Sequence, residues 1–241
     1  MITERADRLL FIKGIAKSRS SAQILISEGK AFCNGRLILK ASELLDVDSV
    51  LTVTEKEKYV SRGGYKLEYA LSRFNITVKG DICVDVGAST GGFTDCLLQH
   101  GAKKVYCIDS GHGQLDASLL SDERVVDIED YNARTLSRDT FKELCDTAVM
   151  DVSFISQTLL HKNVYSVLKP GGRFITLIKP QFEAGRENIG KHGIANKNCY
   201  EDVIKKVISS AENAGFEHKG TDTSVIKGGD GNVEFVSYFI K

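Results

Sequence analysis

No run of apolar residues in this 241-residue chain approaches the roughly 20 that a membrane-crossing helix needs, so no such helix is expected. Glu4, Arg5, Asp7 and Arg8 precede any apolar stretch, the wrong order for a secretory signal, and a cytoplasmic location is expected. Net charge is also missing: 32 Lys and Arg balance 32 Asp and Glu, so whole-chain electrostatics point to no partner. The six cysteines, Cys33, Cys83, Cys96, Cys107, Cys145 and Cys199, include no C-x-x-C pair. Most stand in apolar segments where free thiols pack, so neither a disulfide nor a metal site is expected. The remaining composition, 42% hydrophobic and 27% charged, is that of a globular chain long enough for one sizeable α/β core and a small extra module.

Charge is uneven along the chain. Residues 1–40 hold eight Lys and Arg (Arg5, Arg8, Lys13, Lys17, Arg19, Lys30, Arg36, Lys40) against Glu4, Asp7 and Glu28, a net +5. Such a segment suits a polyanion, or is simply a solvated basic face. Apolar spacing predicts helices over Glu4–Lys13 and Ser20–Glu28, with Ser20 and Gln23 as a capping box and Gly29 ending the second. Asn34-Gly35 between two β-rich runs predicts a hairpin, and Val50–Val53 a closing strand. The pattern Ser18-Arg19, Ala22, Leu25-Ile26, Gly29-Lys30 and Asn34-Gly35 resembles the RNA-binding module of ribosomal protein S-four. That resemblance implies that Arg8, Lys13, Lys17, Arg19 and Lys30 face RNA phosphates.

The charged run Glu55–Lys58 reads as a linker, dividing a domain of residues 1–58 from one of residues 59–241. After it, Leu67, Ala70, Leu71 and Phe74 lie at helical spacing. Strands are expected at Ile82–Val86, Lys104–Ile108, Arg124–Ile128, Ala148–Val152 and Arg173–Ile178 with helices between them, as in a doubly wound parallel sheet. A last helix over Glu201–Ala214 precedes strands at Thr221–Lys227 and Val233–Ile240, an antiparallel hairpin around Gly228–Asn232. A mostly parallel, seven-stranded α/β sheet ending in such a hairpin is the Rossmann-like arrangement of class I methyltransferases.

The first of these strands runs into Gly87-Ala88-Ser89-Thr90-Gly91-Gly92-Phe93, where a strand-to-helix turn needs backbone freedom and close ligand approach. The spacing is not the G-x-G-x-x-G of dinucleotide sites. Asp85 at the strand end suits a cofactor with a cationic amino group, such as S-adenosylmethionine; alternatively Asp85 and the glycines only build the turn. Asp85, Gly87, Ser89, Thr90, Gly91, Gly92 and Phe93 are therefore candidate cofactor residues. Asp109 follows the second strand, where an acid grips ribose hydroxyls or else caps a helix. Glu129 follows the third and is placed at the adenine edge, with Asp127 and Asp130 contesting that role.

Lys66 precedes the first strand, Asp151 ends the fourth, Lys179 ends the fifth and Glu234 starts the last. Strand C-termini line the ligand crevice of a doubly wound sheet, so Asp151 and Lys179 are expected to be neighbours there. Alkylating a ribose hydroxyl requires removing its proton, which a lysine does once burial or nearby positive charge favours its neutral form. Lys66 is the expected source of that charge, with Asp151 and Glu234 holding both ammonium groups. The plainer reading is a pair of ordinary salt bridges.

Ser61–Leu67 (SRGGYKL), Asp85–Asp95 (DVGASTGGFTD), Gly113-Gln114-Leu115, Asn132-Ala133-Arg134, Asp151–Ser156 (DVSFIS), Lys169–Gly172 (KPGG), Lys179–Glu183 (KPQFE) and Gly231–Phe235 (GNVEF) together resemble the TlyA family, often labelled hemolysin A. The resemblance covers nearly the whole chain. It implies an FtsJ-like, S-adenosylmethionine-dependent ribose 2′-O-methyltransferase of ribosomal RNA, with ribosomal RNA or subunits as partner. It also implies a catalytic tetrad at Lys66, Asp151, Lys179 and Glu234. The family's Gly-Tyr-Gly-Gln-Leu is here Gly111-His112-Gly113-Gln114-Leu115. Its Val-Val-Arg-Asp and later His are replaced by Ile194-Ala195-Asn196-Lys197 and Tyr200, in a glycine-rich segment that reads as a substrate loop. Two other classes compete, a membrane-lytic protein and an RNA-binding assembly factor without activity. The absence of a spanning segment and the charged helix faces oppose the first, and the intact tetrad opposes the second.

Overall fold

A computed structural model describes residues 2–54, 58–228 and 231–241. Glu55, Lys56 and Glu57 of the expected linker, and Gly229 and Asp230 of the C-terminal turn, lie outside the described residues. The chain forms two units, Met1–Ser61 and Arg62–Lys241.

In the first unit, β1 (Thr3–Arg5) and α1 (Ala6–Ile12) lead to α2 (Arg19–Ser27), followed by β2 (Ala31–Cys33), β3 (Arg36–Leu37), β4 (Leu44–Asp46) and β5 (Leu51–Val53). The first helix starts later than its apolar spacing predicts because Thr3, Glu4 and Arg5 pair antiparallel with Asp46, Leu45 and Leu44. The capping box expected at Ser20 and Gln23 does not form. Ser18 is the N-cap, its hydroxyl accepting from the Ser21 amide at 3.1 Å, and Gln23 donates instead to Asp7 at 2.8 Å. The end of α2 is a Schellman closure, with the Lys30 amide donating to Leu25 and the Gly29 amide to Ile26. Asn34 and Gly35, at φ 50° and 79°, make the turn that registers Phe32 opposite Leu37. Leu9, Leu10, Leu25, Ile26, Ile38 and Leu45 form this unit's core.

The second unit runs α3 (Gly63–Arg73), β6 (Ile82–Val86), α4 (Gly92–Gln99), β7 (Lys104–Ile108), α5 (Ala117–Leu120), β8 (Val125–Ile128), β9 (Cys145–Met150), α6 (His161–Val167), β10 (Leu168–Ile178), α7 (Pro180–Glu183), α8 (Tyr200–Asn213), β11 (Glu217–Thr223) and β12 (Phe235–Ile240). Its seven strands lie in the order β11-β12-β10-β9-β6-β7-β8. Neighbours from β10 through β8 are parallel, whereas β12 is antiparallel to both β10 and β11. All five residues of β6 are buried, as a central strand covered on both faces requires. Phe174, Phe216 and Phe239 stack on one side of the sheet with Leu160, Val164 and Leu168. Each such buried ring contributes about 1.5–3 kcal/mol of transfer free energy. All six cysteines are buried, free thiols.

Several elements differ from expectation, among them β10, which begins at Leu168 rather than Arg173. No α-helix fills the connection from β8 to β9. Asn132 accepts from the Arg134 amide at 3.0 Å and Ser137 pairs with Thr140, so side-chain caps break the segment into single 3₁₀ turns. β9 ends at Met150, two residues early, because the next segment turns sharply, with Phe154 at φ 62°. β11 lies four residues earlier than predicted, which lengthens the hairpin connection and leaves Glu234 just outside β12.

Candidate active site

The strand order reverses between β6 and β9, the switch point at which doubly wound sheets bind ligands. A cavity of about 390 Å³ opens there, lined by Gly87, Ser89, Asp109, Gln114, Asn132 and Asp151 among others, within the size range of small-molecule sites. Gly87 is what lets the two strand exits meet. It stands at φ +83°, and a Cβ there would lie 2.8 Å from the Asp151 carbonyl oxygen. Gly91, left-handed at φ +89°, then starts α4 beneath the cavity.

Each expected cofactor residue has a distinct place. Asp109 lines the cavity, and its carboxylate accepts from the Ser89 amide at 2.8 Å and the Gly111 amide at 2.7 Å. It thus ties the glycine turn to the loop after β7. It caps no helix; Asp116 caps α5. Glu129 does not line the cavity. It accepts from the Gly113 and Gln114 amides at 2.7 and 3.0 Å, and these bonds hold its carboxyl below the usual range. The positions beside the cavity after β8 are Tyr131, Asn132 and Ala133, two of them in the Asn-Ala-Arg motif. Asp127 stays outside as well, its carboxyl raised by burial, and Asp130 pairs with His112 at 3.0 Å.

Asp85 is displaced from its expected post. Strand alternation turns it away from the cavity, wholly buried, and Thr94 donates to it at 2.8 Å. Its other oxygen has no hydrogen-bond partner, and burial pushes its carboxyl up to about 7. Thr90, Gly91, Gly92 and Phe93 form the turn and the first part of α4 without lining the cavity.

The four dispersed charges do converge at the strand ends. Lys66, on the buried face of α3, meets Glu234 at 2.5 Å, the two being 7% and 3% exposed. Lys179 meets Asp151 at 2.6 Å, an ion pair whose angle falls outside that of a directed hydrogen bond, and donates to the Ser153 hydroxyl at 2.9 Å. Ile178 is registered against Phe235, so continuing the antiparallel ladder one step sets Lys179 opposite Glu234. Asp151 is the member that also lines the cavity. Ser153 and the 92% exposed Phe154, whose ring packs on Phe182 at 5.1 Å, line it too. Neither was singled out from the sequence as a site residue, although both lie in the DVSFIS motif.

On the first unit, Arg8 pairs with Glu4 at 2.9 Å, Lys30 with Glu28 at 3.1 Å, and Lys13 donates to the Ser49 carbonyl at 2.7 Å. Lys17 is exposed. Arg19 shares the buried Asp7 with Arg5, which the sequence reading left out. Arg5 donates to both Asp7 oxygens at 3.0 and 3.1 Å, and Arg19 donates at 3.1 Å. The Arg5 guanidinium holds the Asp7 carboxyl well below the usual carboxylate range. Two guanidinium groups, about half exposed, are thereby fixed side by side. Only the Arg-x-Asp spacing hinted at this, because Arg19 is twelve residues from Asp7.

A parallel sheet with its last strand reversed, opening on a small-molecule crevice at the switch point, is the class I methyltransferase fold. The chain belongs to the FtsJ-like methyltransferase family, whose sequence profile matches residues 59–241. It is 44% identical over 239 residues to Hemolysin A of Brachyspira hyodysenteriae, covering 98% of this chain and 99% of that one. It is 38% identical over 234 residues to the 16S/23S rRNA (cytidine-2′-O)-methyltransferase TlyA of Mycobacterium tuberculosis, covering 96% and 87%. A solved structure from Streptococcus thermophilus, 43% identical, superposes with a TM-score of 0.79 over 100% of this chain and 89% of that one.

Proposed function

We propose that this methyltransferase transfers a methyl group from S-adenosylmethionine to ribose 2′-hydroxyls of ribosomal RNA, with Lys66, Asp151, Lys179 and Glu234 as its catalytic groups. The observation that carries the reading is the pairing of two buried lysines with two acids at the strand ends, one acid facing the cavity. The crevice suits the cofactor: Gly87 and Ser89 leave backbone close to it, and Asp109 offers carboxylate lone pairs beyond its two amide bonds. When bound, S-adenosylmethionine supplies an electrophilic methyl group to the ribose oxygen. Lys179 Nζ, in its neutral amine form, takes the 2′-hydroxyl proton while Asp151 and Ser153 fix the amine, with S-adenosylhomocysteine as the other product. Glu234 balances Lys66 so that the buried cation is never alone. Positioning supplies most of the acceleration, and the base adds about 10²–10⁴-fold.

Phe154 offers its exposed face at the cavity rim for stacking on a base of the target strand. Phosphate contacts fall to the first unit, residues 1–61 against the 1–58 expected for that domain, using Arg8, Lys13, Lys17, Arg19 and Lys30 together with Arg5. The name of the mycobacterial relative supports ribosomal RNA as substrate and the 2′-oxygen as acceptor. No helix among the described residues is long and apolar enough to cross a membrane, and no group of acids, histidines or cysteines there could hold a metal. A membrane-lytic role leaves the buried charge pairs without a use.

The test is transfer of labelled methyl from S-adenosylmethionine to unmodified ribosomal subunits, mapped to the ribose. Transfer by the parent and none by Lys179→Ala, with cofactor affinity preserved, is the expected result. Full activity in Lys179→Ala removes the base.

A further inference from the structure

Phe154 stands at φ 62°, a left-handed conformation that residues with a Cβ rarely adopt, and is 92% exposed. Such a turn persists only where its surroundings over-determine it. On its N-terminal side the Ser153 hydroxyl accepts from Lys179 at 2.9 Å. On its C-terminal side stands Glu183, 6% exposed and absent from the mechanism above. One carboxylate oxygen accepts from the Ser156 hydroxyl at 2.6 Å and the other from the Gln157 amide at 2.7 Å. Lys206 balances the charge, reaching the carboxylate at 3.4 Å and the Glu183 carbonyl at 2.8 Å. Gln157, 2% exposed, is itself locked to β10: it donates to the Leu177 carbonyl at 2.9 Å and accepts from Thr176 at 2.8 Å.

These contacts close a ring. From Lys179 the chain runs through the single turn of α7 to Glu183, crosses by hydrogen bond to Ser156, returns along the backbone to Ser153, and crosses back to Lys179. We infer that Glu183 is a positioning residue, which clamps the strained turn so that Ser153 orients the Lys179 amine and Phe154 holds its place at the cavity. The inference rests on the reading of Lys179 as the base. Ser156, Gln157 and Lys206 all donate to this carboxylate. An amide in its place removes the charge that Lys206 faces and obliges the Ser156 hydroxyl to accept rather than donate.

Glu183→Gln keeps the shape and weakens the clamp, whereas Ser156→Ala removes its bond to the turn. Misplacement of a reacting group by an ångström costs on the order of 10²-fold, so kcat is expected to fall by about 10–100-fold. Cofactor Kd stays within about twofold of the parent. Stoichiometry of cofactor binding counts the folded sites, so kcat per binding site separates positioning from mere loss of folded protein. Adding Ser156→Ala to Glu183→Gln should cost little more than Ser156→Ala alone, since both act on one bond. A kcat per site within about twofold of the parent in both Glu183→Gln and Ser156→Ala, while Lys179→Ala is inactive, overturns the role of Glu183. Full activity of Lys179→Ala instead overturns the base, and the inference with it. If Glu183→Gln does not fold, Ser156→Ala alone decides: a several-fold loss of kcat supports the clamp, and parental kcat rejects it.

Discussion

Asp85→Asn should make the protein more stable, and only above mildly acidic pH. Asn keeps the shape and an acceptor for Thr94 but removes the ionisable carboxyl, which burial pushes up to about 7, with Asp151 and Asp109 adding to the rise. The sign follows from proton counting. Below about pH 4 the acid is neutral in both the folded and unfolded states and contributes nothing. From there to about pH 7 the unfolded chain gives up its proton first, so the folded state binds more protons and loses stability as pH rises. Above about pH 7 the deficit is constant, and the distance from an ordinary aspartate corresponds to about 4 kcal/mol. No solvent screening discounts it, since the side chain is wholly buried.

The parent alone will not reveal this slope. Burial lowers His161 to about 4, and a histidine kept neutral in the folded state loses stability as pH falls from about 6.5 to about 4, by about 3 kcal/mol. The two buried groups therefore oppose each other across one window. Subtracting parent from variant removes His161. Urea unfolding of both proteins from about pH 4 to about pH 8 should give curves that coincide at the acid end and separate by up to about 4 kcal/mol at the other. A difference that is flat with pH would refute the assignment, because a packing effect has no reason to titrate.

Two further outcomes follow from the same geometry. Gly87→Ala combines a left-handed φ with a Cβ 2.8 Å from the Asp151 carbonyl. It should cost about 2–4 kcal/mol in denaturant unfolding and weaken cofactor binding; a loss under about 1 kcal/mol would show that the strand exits yield easily. Arg5→Glu with Arg19→Glu reverses the paired guanidinium groups over Asp7. RNA binding should weaken and its salt dependence flatten by roughly one to two units in slope, and an unchanged slope removes both residues from the interface.

What the sequence made legible is local. The strands β6 and β7 match the sequence expectation to the residue, because short, β-rich and mostly apolar runs bounded by turn signals leave little choice. The Asn34-Gly35 turn was legible for the same reason. Cap competition was not. Ser18 displaced Ser20 because the winning cap is decided by which hydroxyl the folded backbone presents to an orphan amide. At the site, strand-end position predicted that Asp151 and Lys179 would meet, since topology alone brings those ends together. Side-chain direction was harder. Glu129 and Asp85 stand at the expected strand ends yet face loop amides and the core, a matter of pleat and loop closure that spacing does not encode. Arg5 and Glu183 act through partners far along the chain, and no local pattern announces them.

Several departures from ordinary folding rules gather at the C-terminal ends of the sheet's inner strands. Two lysines and two acids lie mostly buried there, although an apolar replacement of a buried ion pair is often as stable or more so. A bulky exposed aromatic occupies a left-handed backbone, and Asp85, near the end of β6 and bonded to Thr94, is buried at a cost in stability near neutral pH. Elsewhere in the second unit the apolar residues pack in the ordinary way, around a core of strands, α6 and stacked rings. Asp151, Ser153 and Phe154 line one cavity beside these features, and such a gathering of locally unfavourable choices is the pattern expected where chemistry rather than folding sets the choice of residue.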